Sequence, residues 1–154
     1  MSRTEIIKSL RSELVARGFV GRGRNLRVIR AEVAWMIQLE LIPRTSRVGL
    51  SVGICPAALT AAGWPSRANN RPIILDPVSG GVEMFGHDKW DIWQALDSDS
   101  ALTSEARKEL LGRLSDAIWA ASEAIATLSD LRGAADAGKL SAFVRRDARA
   151  LLER

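Results

Sequence analysis

Gly49-Leu50-Ser51-Val52-Gly53 matches the G-x-S-x-G pattern of serine hydrolases, and Asp76 and His87 follow it in the chain order of such a triad. That chemistry needs the serine on a sharp strand-to-helix turn, with its oxygen exposed and a histidine in reach. Ser51 instead falls inside an alternating run, and Ile54-Cys55-Pro56 stands where the helix should begin. The glycine spacing reads as close packing on a sheet. Cys55 and His87 could pair as nucleophile and base, but a lone cysteine beside a proline at a strand end reads as a small buried hydrophobe. Asp88 and Asp91, three apart on a predicted helix, could share a face for acid–base work. Acids in a first helical turn commonly just oppose the helix dipole.

The chain has one histidine and one cysteine. A protein-only metal site takes three or four spaced ligands, so a Cys/His site would consume both. We expect no catalytic residue, no metal and no cofactor. Surface recognition is left as the occupation, and its candidates are basic and aromatic.

The 154 residues carry 22 Lys/Arg against 18 Asp/Glu, a net charge of +4. The excess sits in the first third. Arg17, Arg22, Arg24, Arg27 and Arg30 have no acid among them before Glu32. Gly21-Arg22-Gly23-Arg24 resembles a single RGG-type nucleic-acid repeat, and these arginines could contact phosphates in a salt-dependent way. The plain alternative is a solvated basic hairpin that protects a sheet edge. Asp76, Glu83, Asp88, Asp91, Asp97 and Asp99 make 76–99 the acidic stretch. Trp90 and Trp93 lie within it, three apart, so both fall near one helix face. Core packing is the expected role, and an exposed anchor for a partner is the sharper one.

The elements that must position these residues follow from periodicity. Ile6, Ile7, Leu10, Leu14 and Val15 recur at helical spacing, so 4–17 reads as an amphipathic helix capped by Ser2 or Thr4 and stopped by Gly18. Leu26 to Arg30 reads as a strand. Val33, Trp35, Ile37, Leu39 and Leu41 alternate with Ala34, Met36, Gln38 and Glu40, and after the Pro43–Ser46 turn Val48, Leu50, Val52 and Ile54 alternate with Gly49, Ser51, Gly53 and Cys55. Short connections make these an antiparallel meander. Further strands are expected at Ile73–Leu75 and Val82–Phe85, completing a sheet over about 19–86. A short helix over 88–96, a long one over 103–132 stopped by Gly133, and a last one over 136–152 complete the chain. The expected fold is a single-domain α+β over 1–154. One antiparallel sheet of four to six strands is packed on one face by the N-terminal, long and C-terminal helices. The other face, with Met36, Gln38 and Ser51, is either open or closely approached over its glycines.

No stretch is apolar enough to span a bilayer, and the single cysteine and the acid in the first amphipathic run suit a cytoplasmic protein without a leader. The chain resembles a small bacterial family known as domain of unknown function forty-three-oh-four. The likeness rests on the N-terminal helix running into Gly18-Phe19 and a basic turn. It also rests on the Gln-containing strand Val33–Leu41, on Val48–Ile54, and on Asp88-Lys89-Trp90-Asp91-Ile92-Trp93 before a long helix. It covers roughly 4–130 and departs from the family at the 56–71 loop and the C-terminal helix. The resemblance implies an α+β fold and no activity. Together these readings lead us to expect a non-catalytic protein-binding domain, immunity or antitoxin-like, that occludes a toxin-like partner. The alternative is a nucleic-acid-binding domain using the basic 17–30 segment.

Overall fold

A computed structural model describes residues 1–59, 73–75, 89–140 and 143–153. Helix α1 (Arg3–Arg17) opens on a capping box: the Glu5 N–H donates to Ser2 Oγ and the Ser2 N–H to the Glu5 carboxylate. It buries Ile6, Ile7, Leu10 and Leu14, whereas Val15 is 42% exposed. Gly18 ends it at φ 123°, and a Cβ there would come within 2.7 Å of the Trp119 ring. Backbone conformation and space both demand glycine at that corner.

The strands form one six-stranded sheet in sequence order, every neighbour antiparallel. They are β1 (Val20–Arg22), β2 (Asn25–Ile29), β3 (Val33–Leu41), β4 (Val48–Pro56), β5 (Ile73–Leu75) and β6 (Phe143–Val144). The register places Trp35 between Val28 and Ile54, and Ile37 between Leu26 and Val52. Those residues line the apolar face and are buried with α1 and the later helices in one core, apart from the partly buried Val28. The architecture is the expected α+β sheet with helices.

Helix α2 (Lys89–Ala95) is followed by α3 (Ser104–Ala124), α4 (Leu128–Asp136) and α5 (Arg146–Leu152). The predicted 103–132 helix is thus two helices. Thr127 and Asp130 form a capping box that starts α4. The β2–β3 turn and the start of β3 meet the gap: Trp35 Nε1 donates to Ile125 O (2.9 Å), the Glu32 N–H donates to Ala126 O (2.9 Å), and the Leu128 N–H donates to the Glu32 carboxylate (3.0 Å). These bonds satisfy polar groups that a continuous helix would have bonded internally. Gly133 lies inside α4, and the chain turns at Gly138 (φ 73°) instead. The predicted 136–152 helix is a second correction. It resolves into the end of α4, the strand β6 pairing with β5, and the short α5. The predicted strand at 82–85 lies outside the described residues.

The second sheet face divides along its length. Ala34, Met36 and Cys55 are buried, Gln38 and Ser51 are half-buried, and Glu40 is exposed. It is closed at the Cys55 end and open at the Glu40 end. Helix α3 is not its cover, since Leu111, Leu114 and Ile118 of α3 are buried in the same core as Trp35.

Candidate functional site

The basic segment separates into arginines the fold uses and arginines it leaves exposed. Arg17 clamps α1 to α3: it donates from Nη1 to the Glu13 carboxylate (2.7 Å), from Nε to Asp116 Oδ1 (2.7 Å) and from Nη2 to Gly112 O (3.2 Å). Arg30 lies 4.5 Å from the centre of the Trp119 ring and donates to Ser122 Oγ (2.8 Å). It is a packing residue, as the cation–π geometry and half-burial indicate. Arg27 is half-buried on the second face, opposite Met36 in register, and is not free.

Arg22 and Arg24 are exposed, and their side chains make no hydrogen bond or ion pair among the described residues. They flank Gly23, whose φ of 60° fits the first central position of a tight hairpin turn. Arg11 reaches from α1 to that turn, donating to Gly23 O (2.9 Å) and Gly21 O (3.0 Å). The loop that presents Arg22 and Arg24 is therefore anchored by a residue that sequence spacing does not single out.

The aromatic candidates also part company. Ile92 and Ala95 of α2, with Leu96 just after it, form the buried stripe. At about 100° per residue, position 90 points roughly 160° away from Ile92. Trp90 is accordingly 61% exposed, not a core residue. Trp93 is half-buried with the Arg47 guanidinium 3.3 Å from its ring centre. Asp91 is half-buried, and Asp88, Asp76 and His87 lie outside the described residues.

Arg107 is 1% exposed and holds the end of α2. Its Nη1 donates to Gln94 O (3.1 Å), Ala95 O (2.9 Å) and Asp97 O (2.7 Å), and its Nη2 to Ser100 Oγ (3.1 Å). Burial lowers its pKa and the nearby Asp97 offsets part of that. Asp97 accepts from Ser46 Oγ (2.5 Å) and the Asp99 N–H (2.9 Å), and the Ser46 bond is the main reason its pKa lies below the ordinary value. So Asp97 serves the fold, while Asp99 is exposed.

Ser51 lies in mid-strand opposite Gln38, not on a turn. The Cys55 thiol is buried and its pKa is pushed up to about 11 by that burial, the reverse of an activated nucleophile. No helix among the described residues is long and apolar enough to cross a membrane.

No family model, no curated protein and no solved structure matches the chain.

Proposed function

We propose that the chain is a non-catalytic protein-binding domain that acts by occluding its partner, in the manner of an immunity or antitoxin protein, with α2 at the contact. The carrying observation is Trp90, 61% exposed on a helix whose far end is tied down by Arg107. Leaving so large an apolar side chain in water forgoes on the order of 2 kcal/mol of burial. A partner recovers it at low ordering cost, because the helix is already held. Tryptophan is among the residues that dominate interface energetics.

Asp88 and Asp91 flank Trp90 in sequence, which suits a toxin-like partner with a basic contact surface. The reading includes a bacterial cytoplasmic setting, without metal or cofactor. It also includes kinship with the domain-of-unknown-function family, supported by the strand and Trp motifs named above. Co-purification with the product of the adjacent gene tests it. A complex with the native chain that is lost in Trp90→Ala supports the reading, and no complex rejects it.

A second reading is supported by Arg22 and Arg24, exposed and unengaged among the described residues on a pinned hairpin. It assigns them to nucleic-acid phosphates. Affinity for an oligonucleotide should then fall steeply with salt, and Arg22→Gln/Arg24→Gln should flatten the log–log slope by about 2. No binding at low salt, or an unchanged slope, rejects it.

A further inference from the structure

A second basic feature lies at the opposite edge of the sheet, where β6 leads into α5. There a cleft of about 590 Å³ is lined, among the described residues, by Val144, Arg145, Arg146, Arg149, Ala150 and Glu153. A volume of this order accommodates a small metabolite.

The three arginines are not equivalent. Arg145 is neutralised locally by a two-pronged pairing with Asp147, at 2.7 and 2.5 Å. Arg146 and Arg149 are exposed and have no side-chain hydrogen bond or ion pair among the described residues. They sit three apart on α5, so their Cβ atoms are about 5–6 Å from each other and the like charges repel. Glu153 is one turn beyond Arg149 in sequence, yet no ion pair joins them. Two uncompensated guanidiniums facing one cleft make an arrangement that an added dianion relieves, and the planar fork of arginine matches phosphate oxygens bidentately.

We infer that this cleft is a phosphate-binding site, with Arg146 and Arg149 as the direct ligands. Arg145, already paired, shapes the wall, and Glu153 opposes the anion and limits affinity. The inference is independent of the protein-binding reading, because it uses neither α2 nor the β1–β2 hairpin.

Titration calorimetry tests it with two ligands at matched ionic strength in chloride: inorganic phosphate, and a nucleoside monophosphate. Binding of either supports the site. A preference for the ester identifies a phosphorylated metabolite as its natural occupant, and a preference for inorganic phosphate identifies the free anion. Arg146→Gln/Arg149→Gln should weaken binding at least about tenfold, with unchanged far-ultraviolet dichroism to show that the fold persists. Glu153→Gln should tighten it by several-fold, a gain that unfolding cannot mimic. Three results would each overturn the inference: no heat above the chloride control with either ligand, undiminished binding in the double variant, or no gain in Glu153→Gln.

Discussion

Replacing Arg107 by leucine isolates the device that holds α2. The guanidinium serves three carbonyls at and just beyond the last turn of α2 and one hydroxyl, at 2.7–3.1 Å. Gln94 O also accepts from the Asp97 N–H (3.3 Å) and Ser100 Oγ (2.8 Å), and Asp97 O from the Ser100 N–H (3.2 Å), so Ala95 O is the carbonyl that depends most on Arg107. A cation there also opposes the negative end of the helix dipole. Four hydrogen bonds to a charged donor, at roughly 1.5–3 kcal/mol each, set a gross upper figure. Burying the charge takes back much of it, and Nε lacks a hydrogen-bond partner. Leucine restores the apolar stem contacts but strands the buried Ala95 O and takes one of the donors from Gln94 O and Asp97 O. The net loss should be about 1–3 kcal/mol, the cost of a buried acceptor left without its donor. For a chain of this size that is a fall in Tm of roughly 2–12 °C. Arg107→Lys keeps the charge but not the fork, and should cost less than Arg107→Leu. Urea unfolding followed by tryptophan fluorescence and dichroism measures both. A loss under about 0.5 kcal/mol for Arg107→Leu would refute the capping argument, since it would mean that Ala95 O finds another donor without strain.

Other outcomes follow from the same geometry. Trp35→Phe keeps the ring packing but removes the donor to Ile125 O; it should cost about 1–3 kcal/mol in the same urea assay, with the native dichroism retained. Gly18→Ala meets both the φ of 123° and the Trp119 ring, so a loss of about 1–3 kcal/mol is expected, and a neutral result would contradict the packing described. The Cys55 thiol, buried and with its pKa raised to about 11, should react with a disulfide reagent at neutral pH only after denaturant is added; prompt labelling of the native chain would show the strand end to be open. Asp97 has its pKa lowered, chiefly by Ser46. Its contribution is therefore complete above the unfolded-state pKa and is lost as pH falls through the folded-state value. Unfolding midpoints should drop more steeply as pH falls below the ordinary aspartate value of 3.8 in the native chain than in Asp97→Asn.

The sheet was legible because period-two alternation in 33–41 and 48–56 leaves only one pairing that buries Trp35, Ile37 and Leu39 opposite Ile54, Val52 and Leu50. The split of the long helix was less so, since Ile118, Ala121, Ile125 and Leu128 keep helical spacing across the gap. The readable sign there was Thr127-x-x-Asp130, an N-terminal signature in the middle of the pattern. Strand β6 is two residues long, too short for any alternation to show. Trp90 could have been placed outward from the stripe at Ile92, Ala95 and Leu96, which periodicity contains. Arg47 on Trp93, Arg30 on Trp119 and Arg107 on the end of α2 join parts of the chain without a repeat that links them. Composition alone cannot tell such consumed arginines from Arg22 and Arg24.

The most direct test of the recognition account is one calorimetric titration series with the adjacent gene's product, comparing the native chain, Trp90→Ala and Arg22→Gln/Arg24→Gln. The account predicts a complex that Trp90→Ala weakens at least about thirtyfold, the scale of a 2 kcal/mol anchor, while the arginine pair changes it by less than about threefold. An affinity indifferent to Trp90, or no complex with the native chain, would contradict it.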